Sequence, residues 1–186
     1  YALRVARNLA EKVSGRALTP ENMLVAAELP GARLQFTYGQ VARSGLTIVV
    51  RKHRPLLSID RLLEIGSLSV EMRDFLADIV VARANVLVAG GTGTGKTTII
   101  NVLSGFIPDS ERVITIEDSF ELSLTNRFVV PLQTKEAASA DDRIRVSQAD
   151  LMRAALRMRP DRIVVGEVRD PAGAAVMLEA ASTGHD

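Results

Sequence analysis

With 186 residues, 47% hydrophobic and 24% charged, the chain is long enough for one good-sized domain or two small ones and apolar enough to bury a core. Its 23 basic and 22 acidic residues leave a net charge of +1, which removes any bulk electrostatic case for nucleic acid or an anionic membrane as main partner. The absence of cysteine excludes disulfides and thiolate metal sites, and no apolar run reaches the roughly 18 to 20 residues of a membrane span.

The opening "YALRVARNLAEKVSG" lacks the apolar stretch of a signal peptide. Its Leu3, Val5, Ala6, Leu9, Ala10 and Val13 recur at helical spacing, and Gly15 ends the run. Two short strands are expected around the turn dipeptide Pro30-Gly31. A third, "GLTIVVRK", stops before Pro55, and the segment reads as a small, partial α+β domain over residues 1–55. Residues 56–68 read as a linker, and Ser69 is placed to cap a helix carrying Val70, Met72, Phe75, Leu76, Ile79 and Val80.

Beyond Asn85 the pattern changes. Apolar strands are expected at 86–89, 112–116 and 162–166, a weaker one at "RFVVPL", and helices at 95–104, 148–158 and 171–182. Near-continuous apolar strands alternating with helices imply a parallel sheet covered on both faces. The expected class is thus α/β over residues 69–186, with both termini reading as cuts inside a longer protein.

"GGTGTGKT", Gly90 to Thr97, fits G-x-x-x-x-G-K-[ST]. Glycines let such a loop wrap tightly enough for successive backbone N–H groups to point at phosphate oxygens. The helix that follows offers its unpaired N-terminal donors to the same anion. Gly91, Thr92, Gly93, Thr94, Gly95, Lys96, Thr97 and Thr98 are therefore the candidate nucleotide contacts. Lys96 would reach the β- and γ-phosphates, and Thr97 would place its hydroxyl on Mg2+. A strand enters the motif and a helix leaves it, which distinguishes it from a glycine-rich turn with a chance lysine.

Hydrolysis further needs a group to hold Mg2+ and one to orient water. Ligands of open α/β sheets sit beyond the carboxyl ends of the strands. "RVITIEDSFEL" ends its strand at Glu117-Asp118, and "PDRIVVGEVRD" ends its own at Glu167. Glu167 is the candidate metal-side acid, acting through water, and Glu117 the candidate for polarising the nucleophile. The plainer alternatives are a solvated acid at Glu167 and a helix cap at Glu117-Asp118. Ser147 and Asp150 form a capping-box pattern ahead of an amphipathic helix bearing Arg153, Arg157 and Arg159. Asp170 before Pro171 reads as a cap. Arg51, with Lys52 and Arg54, is either an edge charge or a cation reaching phosphate; His53 reads as ordinary surface.

Taken together, "GGTGTGKTT", "ITIEDSFEL", "ALRMRPDRIVVGEVRD" and "EAASTGHD" resemble the traffic ATPases of type II and type IV secretion, in particular the pilus-assembly and conjugal-transfer branch. The resemblance covers most of residues 20–186 and is strongest from 85 onward. It implies a RecA-like P-loop NTPase domain preceded by a small N-terminal domain, ATP and Mg2+ as ligands, and a homo-hexameric ring. It also implies work beside platform proteins at the cytoplasmic face of an inner membrane. By the same likeness the glycine loop is the Walker A box, Glu117 the catalytic acid, Glu167 the Walker B acid, and Arg51 the basic residue of the N-terminal domain. The family's His box is expected beyond "STGHD", so His185 belongs to its lead-in, and the segment "QTKEAASADDRIRVSQ" departs from the family pattern. Two other classes compete. A nucleotide-dependent nucleic-acid translocase is opposed by the balanced charge and 4% aromatic content, which offers few stacking platforms. An inactive ring component is opposed by retention of both acids.

Overall fold

The computed structural model describes residues 1–52, 56–135, 145–168 and 171–182. The chain divides into two compact units, Tyr1–Pro55 and Leu56–Asp186.

In the first unit, helix α1 (Ala2–Ser14) ends where the Gly15 N–H closes on the Glu11 carbonyl. Three antiparallel strands follow, β1 (Leu24–Leu29), β2 (Ala32–Tyr38) and β3 (Leu46–Lys52), in the order β1-β2-β3. The alternation of the strands decides what is buried. Val25 pairs with Phe36 and Ala27 with Leu34, so these four share one face. They pack with Ala6 and Ala10 of α1, where small side chains let helix and sheet approach closely, and with Leu18. Ile48 and Val50 of β3 pair with Phe36 and Leu34 and lie on the same face, yet remain 42% and 54% exposed.

The second unit begins within the span that reads as a linker. Residues 59–64 form α2 (Ile59–Glu64), whose N-terminus is capped by Ser58, and its Leu62 is buried with Leu68 and Val102. Ser69 caps α3 (Val70–Val81) by accepting from the Met72 N–H. Only one edge of α3 is covered: Val80 is buried and Leu76 packs inward, while Val70, Met72 and Phe75 stay half exposed or more.

Next come α4 (Lys96–Ser104), β4 (Arg112–Glu117), β5 (Phe128–Gln133), α5 (Gln148–Ala155), β6 (Arg162–Val165) and α6 (Pro171–Ser182). The strands form a parallel sheet in the order β5-β4-β6. Central β4 is buried on both faces. Ile114 and Ile116 meet Met152 and Ala155 of α5 and Val176 and Ala180 of α6, while Val113 meets Val80 and Leu103 on the other side. Each fully buried isoleucine contributes roughly 1.5 to 3 kcal/mol, enough to fix which strand is central.

Below the sheet, Glu111 accepts from Arg162 at 2.7 Å and from Arg83 at 2.9 Å, and Arg162 also donates to the Val80 carbonyl at 2.7 Å. This buried ion group ties the end of α3 to the starts of β4 and β6. Glu111 and Arg162 are the buried members, and removing either costs about 3 to 5 kcal/mol because a charge is left uncompensated, whereas Arg83 is half exposed.

Two expectations need correction. Residues 86–89 form no strand: among the described residues β4 is the only ladder partner of β6, and 86–89 belong to no ladder. Leu87 there is 78% exposed. The helix expected to 158 ends at Ala155, where the bonds tighten to Arg157 N–H on Ala154 and Met158 N–H on Ala155. Arg159 then takes φ 53°, outside the helical region, immediately before Pro160.

Candidate nucleotide-binding site

The glycine loop runs from residues 86–89 into α4. Gly93 and Gly95 have φ of 76° and 96°, a left-handed backbone that other residues adopt at a cost. Gly95 is the N-cap of α4 and offers no side-chain acceptor to the first-turn N–H groups. Those donors, aligned with the helix dipole, make an anion site. The Thr94 hydroxyl donates to the Gly91 carbonyl at 2.8 Å, and Lys96 Nζ donates to the same oxygen at 2.6 Å. The ammonium is thus held over the loop rather than extended away from it. Gly91, Thr92, Gly93 and Thr94 are exposed, and Gly95, Lys96, Thr97 and Thr98 are half-buried at the helix start.

Both acids stand at the carboxyl ends of adjacent parallel strands. Ile116 pairs with Val165, and the Gly166 N–H reaches the Ile116 carbonyl at 2.9 Å. Glu117 is 3% exposed, and its Oε1 accepts the backbone N–H groups of Glu121 and Leu122, each at 2.8 Å. No helix follows, so neither Glu117 nor Asp118 caps one; Glu117 ties down the loop after β4. The Asp118 carboxylate instead accepts from the Thr134 hydroxyl at 3.0 Å. A Cβ on Gly166 would stand 3.0 Å from Glu117 Cγ. Glu167 is exposed, and its carbonyl accepts from the Gln148 side-chain amide at the start of α5.

A mainly apolar cavity of about 670 Å³ reaches one edge of these parts. Gly90 and Lys96 line it from the loop, Gly166 and Glu167 from the end of β6, and Val86 to Val88 from the segment before the loop, whereas Glu117, Thr97 and Thr98 are not in its lining. The loop N–H groups, the Lys96 ammonium and the Thr97 and Thr98 hydroxyls fit a polyphosphate. Thr97 and Glu167 supply hard oxygen donors that could hold Mg2+. Among the described residues no group of three His, Cys, Asp or Glu side chains forms a metal cage. Mg2+ commonly takes one or two protein oxygens along with phosphate and water, so a site for it needs no such cage.

Arg51 lies in the other unit, exposed on β3 and opposite Arg33 in the strand register. Arg153 makes an exposed 3.5 Å pair with Asp150, and Arg157 and Arg159 are exposed. His53, Arg54, Asp170 and His185 lie outside the described residues, as does 136–144 of the divergent segment. Asn101, Gln148 and Gly166 were not anticipated as parts of the site. An asparagine inside a helix, where its propensity is poor, was the available signal for the first.

The model of the family described as "Type II/IV secretion system protein" matches residues 5–186. An uncharacterized protein of Methanocaldococcus jannaschii is 40% identical over 191 residues, covering 98% of this chain and 26% of its own length. VirB11 of Agrobacterium tumefaciens is 36% identical over 196 residues, covering 89% of this chain and 56% of the relative. The crystal structure of the pilus retraction motor PilT with bound ADP superposes with a TM-score of 0.59 at 28% identity, over 87% of this chain and 45% of that one. The chain spans from about a quarter to about half of the length of these proteins. Because the family model matches residues 5–186 of the chain, the chain belongs to the type II/IV secretion system protein family.

Proposed function

We propose that this chain is the nucleotide-binding part of an ATPase motor subunit serving secretion, pilus assembly or conjugal transfer. The observation that carries the reading is the loop itself: left-handed Gly93 and Gly95 lead into the start of α4, which has no side-chain cap, and the Lys96 ammonium is held on the Gly91 carbonyl. The loop amides and the Lys96 ammonium bind the phosphates and offset the charge that builds on them during transfer. Thr97 and Glu167 would hold Mg2+, which would supply further neutralisation of phosphate charge when bound. Glu117, fixed by two backbone N–H groups, orients the attacking water and accepts its hydrogen bond. Arg51 adds a cation toward phosphate from the N-terminal unit. The complete subunit works as a homo-hexamer beside membrane platform proteins at the cytoplasmic face, and hydrolysis drives motion between its domains. Family membership and the pilus motor's bound ADP support this assignment.

The test uses the full-length protein. Lys96→Ala should abolish tight binding of a fluorescent ATP analogue. Glu117→Gln should retain that binding and lower phosphate release at least roughly a hundredfold, the usual contribution of a positioned base. Unchanged binding by the first variant would overturn the phosphate site, and undiminished release by the second would remove Glu117 from catalysis.

A further inference from the structure

Asn101 lies on α4 four residues beyond Thr97, and its side-chain amide bonds in two directions. Nδ2 donates to the Thr97 carbonyl at 2.9 Å, and Oδ1 accepts the backbone N–H of Ser123 at 2.8 Å. Only one orientation of the amide is chemically allowed. Flipped, it would set oxygen against the Thr97 carbonyl and an NH₂ group against the Ser123 N–H. Ser123 directly follows the two residues whose amides bind Glu117 Oε1. Three consecutive amides, 121 to 123, are therefore held by two side chains, one from the end of β4 and one from the loop helix. Residues 118–127 form neither helix nor strand, so side-chain ties such as these define their path.

We propose that Asn101 is a positioning residue that couples the phosphate-loop helix to Glu117. A displacement of the first turn of α4, where Thr97 sits, passes through the Asn101 amide to Ser123. From there it reaches the neighbouring amides that orient the Glu117 carboxylate. This rests on the reading of the loop as an ATP site and of Glu117 as the acid used in turnover.

The test compares Asn101→Leu, which keeps the branched skeleton, is somewhat larger and loses both bonds, with Asn101→Asp, which keeps the acceptor toward Ser123. In the full-length protein Asn101→Leu should leave ATP affinity within about twofold of the parent and lower kcat roughly tenfold, with KM little changed. Hydrogen exchange at the amides of 121–123 should quicken by a similar factor while β4 stays protected. Asn101→Asp sets a carboxylate oxygen against the Thr97 carbonyl, so it should restore protection at Ser123 only in part and recover only part of kcat. Parental kcat and exchange in Asn101→Leu would overturn the coupling. So would a loss spread evenly over β4 and α5, which marks a merely structural residue. A parent protein that binds no ATP would overturn the underlying functional reading, an outcome distinct from an unaffected Asn101→Leu in an active enzyme.

Discussion

Gly166 shows how tightly the acids are set. Its N–H is taken by Ile116, and the space a methyl group would need is filled by Glu117, with Cγ at 3.0 Å and Oε1 at 3.6 Å. Gly166→Ala must push the Glu117 side chain by a few tenths of an ångström against the amides that clamp it. Misplacements of this order in a catalytic group cost turnover more than affinity. The variant should bind ATP within about twofold of the parent and hydrolyse it at least roughly tenfold more slowly, measured by phosphate release. Equal turnover would mean that the orientation of Glu117 is immaterial. The acids themselves were legible, because an apolar strand ending in a carboxylate is a local pattern. The clamp on Glu117 was not, since its donors come from chain that folds back after the strand. Asn101 was hidden for the same reason: its partner is 22 residues away in sequence.

Among the elements, the caps were the most readable. Ser69 and the Ser147–Asp150 box both form, the second with the Ser147 hydroxyl and N–H donating to the Asp150 carboxylate. The hydroxyl bond, then the backbone one, holds the Asp150 carboxyl below the ordinary aspartate value. The sign follows from linkage. A depressed folded pKa contributes stability that is present above the unfolded value and lost as pH falls through the folded one. Asp150→Asn should therefore be less stable than the parent at neutral pH, and the gap should close as pH drops below about 4. Urea midpoints across that range provide the check; a gap independent of pH would assign the cap to the hydroxyl alone. Segment 86–89 was misread because its β-branched, apolar composition expresses strand propensity, whereas a ladder needs a neighbour that composition does not reveal. The apolar positions of α3 misled differently. Their spacing fits a helix, but Met72 and Phe75 lie off the edge that packs against α4.

At the level of the whole chain, the alternation of apolar strands with helices specified a parallel sheet in the second unit, and an antiparallel hairpin pattern preceded it in the first. Local periodicity conveys class well because burial on one face or two writes itself into every strand. Strand order is another matter. Nothing in the sequence of β4 marks it as central, and that position follows from the packing of α5 and α6 on one side and α3 and α4 on the other.

The one-sided pairing of β6 has a practical consequence. Ile163, Val164 and Val165 offer a row of main-chain donors and acceptors with no ladder partner on the far side among the described residues. Such a row recruits any polypeptide that can extend along it. Residues 1–186 purified on their own should consequently scatter more light as concentration rises, in the presence or absence of nucleotide, giving broad mass distributions unlike those of a closed ring. A single sharp mass over a hundredfold dilution would show that the row is already occupied.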